Sequence, residues 1–138
     1  MSILSNKIPQ KAAQGPHNTW SHDNFYFRLS SRGLPSMRRL QKLNQLTLGN
    51  NELEKIPRLS KSVERINLRD NNFSGVLPRR SMSRLRNLRE LTLASNKITA
   101  VEPDALSRTK IEYLDLGENL LEAIPEGLPS KFCTIFVI

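Results

Sequence analysis

The sequence predicts a curved solenoid of α/β-type repeats. Short parallel strands are expected to line its concave face, and irregular or short helical and 3-10 segments are expected to form its convex side. Three observations support this fold. The pattern LxxLxLxxNxL recurs at steps of 20, 25 and 23 residues. The first half of each copy alternates apolar and polar residues, and the second half varies in length.

Four complete copies of the pattern follow one another, and a fifth copy is incomplete. They begin at Leu43, Val63, Leu88, Ile111 and Phe132. The tetrapeptide Gly-Leu-Pro-Ser occurs at 33–36 and again at 127–130, which indicates that the array starts near its first occurrence. We therefore expect a basic, mostly disordered N-terminal arm over residues 1–32. An array of about five units, truncated at its C-terminal end, is expected over residues 33–138.

The first half of each unit predicts a short strand, as in Leu46-Thr47-Leu48. Successive side chains of a strand point to opposite faces, so the apolar members point inward and the residues between them point outward. One unit cannot bury its apolar face alone. The units must therefore stack with their strands in parallel, which makes the core continuous.

An asparagine follows each predicted strand at the place where the chain must turn. Its side-chain amide can both donate and accept hydrogen bonds, so it can satisfy backbone groups exposed by the turn and pair with the next unit. We expect these side chains to form a structural ladder along the array. Its members are Asn51, Asn71, Asn96 and Asn119.

The second half of each unit is less regular. Pro57 and Pro125 each follow an isoleucine and predict an extended return, because proline lacks a backbone donor. The longer segment 99–106 is a candidate for a helical turn capped by Asp104.

The pattern LxxLxLxxNxL is similar to that of leucine-rich repeat proteins, and this resemblance covers residues 37–138. The order of short and long units resembles that of small leucine-rich proteoglycans and related extracellular matrix proteins. The segments NELEKIPRLSKSVERINL and NLLEAIPEGLPSKF look like their short repeats. The segment Asn72-Phe-Ser-Gly-Val-Leu-Pro78 is also similar to plant-type repeats, although the neighbouring units do not follow that pattern.

The proteoglycan resemblance implies a secreted, noncatalytic extracellular matrix glycoprotein that binds proteins. That family normally has a signal peptide and a cysteine-bearing N-terminal cap, and this chain shows neither. An intracellular leucine-rich repeat adaptor or scaffold, located in the cytoplasm, therefore stays open as the alternative. No run of ten apolar residues occurs, so no membrane span is expected.

The net charge of +8 is concentrated near the N-terminus. Residues 1–42 carry seven Lys/Arg against one acid, whereas residues 43–138 carry fourteen against twelve. Such a balance permits polyanion binding without specifying it. Within the arm, Phe25-Tyr-Phe-Arg-Leu29 alternates and is a candidate cap strand on the first repeat.

The sequence predicts no catalytic residues, no cofactor and no metal site. Glycine-rich phosphate loops are missing. His17, His22 and Asp23 form a local cluster that lacks a fourth ligand. The single cysteine, Cys133, excludes an intrachain disulfide, and we interpret it as a small half-buried apolar residue. Nucleic acid is not expected as a partner, since aromatic residues do not alternate with the basic ones.

The concave strand faces are the predicted binding surface for a protein ligand. Outward-pointing side chains of stacked strands form polar columns on such a surface. We assign nine residues to it and call them the concave surface: Gln45, Thr47, Arg65, Asn67, Arg69, Glu90, Thr92, Tyr113 and Asp115.

Five arginines within eleven residues are a candidate site for a sulfated glycosaminoglycan or another polyanion, because guanidinium groups match the geometry of sulfate and phosphate. An exposed loop on the variable side is the equal alternative. The arginine cluster comprises Arg79, Arg80, Arg84, Arg86 and Arg89.

Two further expectations concern single positions. Asn72 begins an N-glycosylation sequon, which matters only if the chain enters the secretory path. In the last strand, Phe136 and Ile138 are expected to face outward beside an unpaired edge. An apolar edge strand favours association, so we expect self-association through the C-terminal edge.

Overall fold

The computed structural model describes residues 19–20, 38, 41, 43–56, 58–129 and 134–137. These residues form eight strands and one short helix. In chain order they are β1 (Thr19–Trp20), β2 (Gln45–Thr47), β3 (Arg65–Asn67), β4 (Ser74–Leu77), α1 (Arg79–Met82), β5 (Glu90–Thr92), β6 (Lys97–Val101), β7 (Tyr113–Asp115) and β8 (Thr134–Phe136).

Six of the strands form one parallel sheet in the order β1-β2-β3-β5-β7-β8. Each step from β2 onward advances the chain by one repeat, and the register aligns Leu46, Ile66, Leu91, Leu114 and Ile135. Parallel strands need long crossover connections, and the variable halves of the units provide them. The predicted solenoid with a short parallel sheet on its concave face is therefore confirmed.

The core is a continuous column of aliphatic side chains beneath this sheet. Leu46, Leu91 and Leu114 are fully buried, and Ile66 is 2% exposed. At the C-terminal end, Ile135 is only partly buried and packs against the same cluster. Burial of a leucine or isoleucine side chain contributes about 1.5–3 kcal/mol, so this column is the main source of stability.

The convex side holds a second sheet that the sequence did not predict. Strands β4 and β6 run parallel, with Ser74 opposite Lys97 and a register shift after Gly75. Gly75 has a φ of 73°, which suits glycine because it has no Cβ. The plant-like segment thus forms a strand, and its partner lies in the following unit.

The segment after β6 forms hydrogen-bonded turns instead of the expected capped helical turn. The amide of Ala105 donates to the carbonyl of Glu102 at 3.0 Å, and that of Ser107 donates to the carbonyl of Asp104 at 3.3 Å. Asp104 itself has a left-handed φ of 60°, which is not the extended conformation of a helix N-cap. The interpretation of Asp104 as a helix cap was therefore wrong.

The strand next to β2 comes from the N-terminal segment. Thr19 aligns with Gln45, and Trp20 aligns with Leu46. The candidate cap strand Phe25–Leu29 lies outside the described residues, as does most of the segment 1–32. Within the part of the chain that is described, no helix has the length and apolar character needed to cross a bilayer.

Candidate functional site

The sheet aligns eight of the nine residues of the concave surface in two rows, and Arg69 lies beyond the end of β3. The first row contains Gln45, Arg65, Glu90 and Tyr113 at the start of each strand, and the second contains Thr47, Asn67, Thr92 and Asp115 at its end. Neighbouring strands lie about 4.8 Å apart, so each row is a dense line of polar side chains. In the backbone register, Thr134 and Phe136 of β8 lie opposite Tyr113 and Asp115.

Charged pairs cross from strand to strand in and beside the first row. The Arg65 Nε lies 3.3 Å from the Glu90 Oε1, with both side chains at least half exposed. The Arg89 Nη1 lies 2.6 Å from the Glu112 Oε1. Such exposed pairs add only about 0–1 kcal/mol to stability. They connect the side chains of adjacent units across the exposed face of the sheet.

The second row also shapes the turns that follow the strands. The Asn67 Oδ1 accepts a hydrogen bond from the Arg69 amide at 3.0 Å, and the Asp115 Oδ1 accepts one from the Gly117 amide at 3.0 Å. These are local side-chain to backbone bonds of the kind that stabilise turns. Asn67 and Asp115 therefore already use one side-chain oxygen for a hydrogen bond within the protein. No such bond is described for Thr47 and Thr92.

Arg69 lies between two carboxylates at the edge of the concave surface. Its Nε is 3.3 Å from the Asp70 Oδ2, and its Nη2 is 3.3 Å from the Glu118 Oε1. Glu118 comes from a unit two repeats further on, and it also accepts a hydrogen bond from the Ser95 Oγ at 2.9 Å. This edge therefore links three units through side chains alone.

The ladder asparagines are anchored below this edge. The Asn96 Nδ2 donates to the carbonyls of Leu93 and Ala94 in its own unit and to that of Leu68 in the unit before, at 2.9–3.1 Å. Its Oδ1 accepts from the Phe73 amide at 3.1 Å. The expectation that each asparagine pairs with the next unit was wrong in direction, because these bonds reach the preceding unit.

Asn71 and Asn119 repeat this arrangement. The Asn71 Oδ1 accepts from the Leu53 amide at 3.0 Å, and the Asn119 Oδ1 accepts from the Ile98 amide at 2.9 Å. Asn51 differs: its Nδ2 bonds within its own unit, while its buried Oδ1 has no partner among the described residues. The unit that would precede it lies almost entirely outside the described residues.

The residue before each ladder asparagine has a structural role that the sequence did not predict. All four of these residues have left-handed φ angles of 54–56° and none is glycine: Asn50, Asp70, Ser95 and Glu118. The amides of Asn50, Asp70 and Ser95 donate to a carbonyl in the following unit at 2.9–3.0 Å. The sequence does contain a signal for these residues, because a polar residue stands directly before the asparagine in every copy of the repeat.

The structure divides the arginine cluster among several environments. The Arg79 guanidinium donates to the Pro103 carbonyl at 3.0 and 3.2 Å, and Arg89 pairs with Glu112. Arg80 and Arg84 line a groove on the convex side, and Arg86 is exposed outside that groove. Polyanion binding by all five residues together stays a prediction.

The remaining candidate residues are placed as follows. Asn72 is exposed just before β4, and its sequon partner Ser74 begins that strand. His17, His22 and Cys133 lie outside the described residues. Among the residues that the structure does describe, no group of three His, Cys, Asp or Glu side chains could hold a metal ion.

Comparisons with known proteins match the repeat region. A family model described as leucine rich repeat matches residues 86–130, and a second one of the same description matches residues 62–81. Podocan-like protein 1 of Homo sapiens is 40% identical over 118 residues, which cover 81% of this chain and 22% of that protein. Podocan-like protein 1 of Mus musculus is 38% identical over 118 residues, which cover 81% of this chain and 20% of that protein. The chain thus spans about a fifth of the length of these curated relatives.

Proposed function

Because this chain is a leucine-rich repeat protein that resembles the small leucine-rich proteoglycan group, we propose that it is a noncatalytic module that binds a protein ligand. The ligand contacts the concave surface. The observation that carries this proposal is the alignment of two polar rows across four consecutive strands. A surface of this kind offers many hydrogen-bonding groups in a fixed geometry, which suits recognition of an extended protein segment.

The charges of the concave surface indicate what the ligand should offer. Arg65 is paired with Glu90, and Arg69 is paired with Asp70 and Glu118, so these charges are already balanced within the protein. A polar ligand segment with little net charge would be complementary. Its hydrogen bonds would contribute more to recognition than long-range electrostatic steering, which acts mainly on the association rate.

Quantitative affinity capture tests this proposal. The parent chain, a concave variant (Thr47→Lys with Thr92→Lys) and a convex control (Thr99→Lys with Ala123→Lys) are each immobilised and incubated with matrix protein extracts. Both variants add the same charge, so a general charge effect would alter both. We expect proteins that bind the parent and the control to be lost on the concave variant. Equal binding by all three chains would contradict the concave assignment.

The setting in which the module acts is the second part of the proposal. The human and mouse relatives carry the name Podocan-like protein 1, and the resemblance to matrix proteins supports an extracellular location. The exposed Asn72 sequon is compatible with it. In tissue that produces the chain, removal of N-glycans should increase its gel mobility, and Asn72→Gln should abolish the shift. An unglycosylated cytosolic chain would favour the adaptor alternative.

A further inference from the structure

A groove of about 980 Å³ opens on the convex side of the array. One wall is formed by residues 54–56 and 58–59, and the other by β4, α1 and the turn after α1. Its floor contains the buried side chains of Phe73, Leu77 and Leu85. We call it the convex groove, and none of the nine residues of the concave surface lines it.

The rim of the convex groove is strongly basic. Five basic residues and one acid, Glu54, line it among the described residues. The basic residues are Arg38, Lys55, Arg58, Arg80 and Arg84. They come from separate segments of the chain, so the linear arginine cluster contributes only two of them. Like charges gathered around an apolar recess create a local positive potential that attracts anions.

The basic residues of the groove differ from the arginines on the sheet side. Arg65, Arg69 and Arg89 each have a carboxylate oxygen within 3.3 Å. Lys55, Arg58, Arg80 and Arg84 have no carboxylate partner in the described part of the chain, and all four are exposed. The three arginines on the sheet side are therefore paired with carboxylates, whereas these four basic residues of the groove have no carboxylate partner among the described residues.

The other lining groups narrow the class of ligand. Ser74 and Ser83 add hydroxyl groups, and Val76, which is 56% exposed, adds an apolar wall. The aromatic residue Phe73 is only 4% exposed and offers no face on which a base could stack. Anionic groups, hydroxyls and apolar CH faces occur together in sulfated sugars. We propose that the convex groove binds a sulfated polysaccharide.

The convex groove and the concave surface share no residue. An experiment can therefore disprove heparin binding in the groove without disproving protein binding at the concave surface. The test uses the full chain and a heparin oligosaccharide as probe, with binding measured by calorimetry at several salt concentrations. The groove variant combines Lys55→Ser, Arg80→Ser and Arg84→Ser. The matched control combines Lys61→Ser, Arg108→Ser and Lys110→Ser, which are exposed residues that belong neither to the groove nor to the arginine cluster.

We expect the groove variant to bind heparin about tenfold more weakly than the parent, since each exposed charge contact is individually modest. The matched control, with the same loss of charge, should stay within about twofold of the parent. The salt dependence of the affinity should also become less steep in the groove variant alone, because fewer counter-ions are released on binding. An equal loss in both variants would overturn the proposal in favour of a general charge effect, and no loss in either would assign the binding to the basic N-terminal segment.

A second arm of the experiment identifies the anion. Chemically desulfated heparin should lose binding, since the guanidinium groups would have no sulfate to contact. A single-stranded oligonucleotide of similar charge should bind more weakly than heparin and should not discriminate between the two variants. If the oligonucleotide bound better than heparin and lost affinity in the groove variant, the groove would be a nucleic-acid site and the proposal would be wrong.

Discussion

The two sides of this solenoid are built on different principles. On the sheet side, the same hydrogen bonds recur in unit after unit: strand to strand, asparagine to the preceding unit, and left-handed residue to the following one. On the convex side, every unit is different, with an extended segment in one, a strand and a short helix in the next, and a strand followed by turns in the third. The repeated hydrogen bonds of the sheet side therefore stabilise the whole array. The differing segments of the convex side give this chain the structural features that distinguish one unit from the next.

The largest expected effect concerns the end of the sheet side. Strand β8 pairs only with β7 among the described residues, and its register aligns Phe136 with Asp115 of the concave surface. An apolar edge strand favours association. We expect the 138-residue chain to self-associate in light scattering at tens of micromolar, and Phe136→Thr to reduce the apparent mass. The convex control Val76→Thr removes an exposed apolar group that is not part of β8 and should leave the mass unchanged; a monomeric parent would contradict the prediction.

The next effect concerns the ladder. Asn96→Ala removes four hydrogen bonds and leaves the buried amide of Phe73 in the preceding unit without its partner. The three carbonyls that accepted from Asn96 each keep one other hydrogen bond. We expect a loss of about 3 kcal/mol in the free energy of unfolding. Asn51→Ala removes only two described bonds and should cost about 1 kcal/mol. Urea denaturation measures both, and equal losses would show that the link to the preceding unit does not matter.

A matched pair of glycines tests the convex side. A Cβ at Gly127 would come within 2.9 Å of the Asp104 Cα and 3.0 Å of its amide nitrogen, whereas a Cβ at Gly75 would meet nothing within 4 Å. Both residues have φ near +70°. Gly75→Ala should therefore cost about 1 kcal/mol for the backbone conformation alone, and Gly127→Ala should cost about 2–3 kcal/mol because of the added contact. Thermal unfolding of the two variants checks the order, and the two losses would be equal if this contact were absent.

The smallest effect concerns the left-handed residues. Ser95 has a φ of 56°, and glycine adopts this conformation without the strain of a Cβ. Ser95→Gly should raise the free energy of unfolding by about 0.5 kcal/mol, even though it removes an exposed hydrogen bond to Glu118. Ala94→Gly at the buried neighbouring position should lower it by about 1 kcal/mol. A loss in both variants, measured by urea denaturation, would mean that the hydrogen bond outweighs the strain.

The same contrast explains what the sequence could predict. The alignment of Gln45, Arg65 and Glu90 follows from the repeated motif, because a short alternating segment has only one way to stack on its neighbours. The second sheet was missed because β4 and β6 have unrelated sequences, SGVL and KITAV, and their pairing depends on which convex segments come to lie side by side.

The candidate sites also differ in whether their position could be predicted from the spacing of the repeats. Both rows of the concave surface were located from spacing alone, although their binding role stays a prediction. The arginine cluster could not be resolved from spacing, since the partners of Arg79 and Arg89 are Pro103 and Glu112 in the following unit. Nor could the convex groove be recognised, because Lys55 and Arg80 belong to different units and only the packed structure brings them to one recess.

The direction of the asparagine ladder makes each interface between units separately observable. The amide protons of Leu53, Phe73 and Ile98 are each held by the asparagine of the following unit. Such a proton can exchange with solvent only when its hydrogen bond to that asparagine breaks. The exchange rate of Ile98 therefore reports the departure of the unit that begins at Ile111, and the rates of Phe73 and Leu53 report the two interfaces before it. The exchange rates of these three amides, measured in one experiment, would thus show from which end the solenoid unfolds.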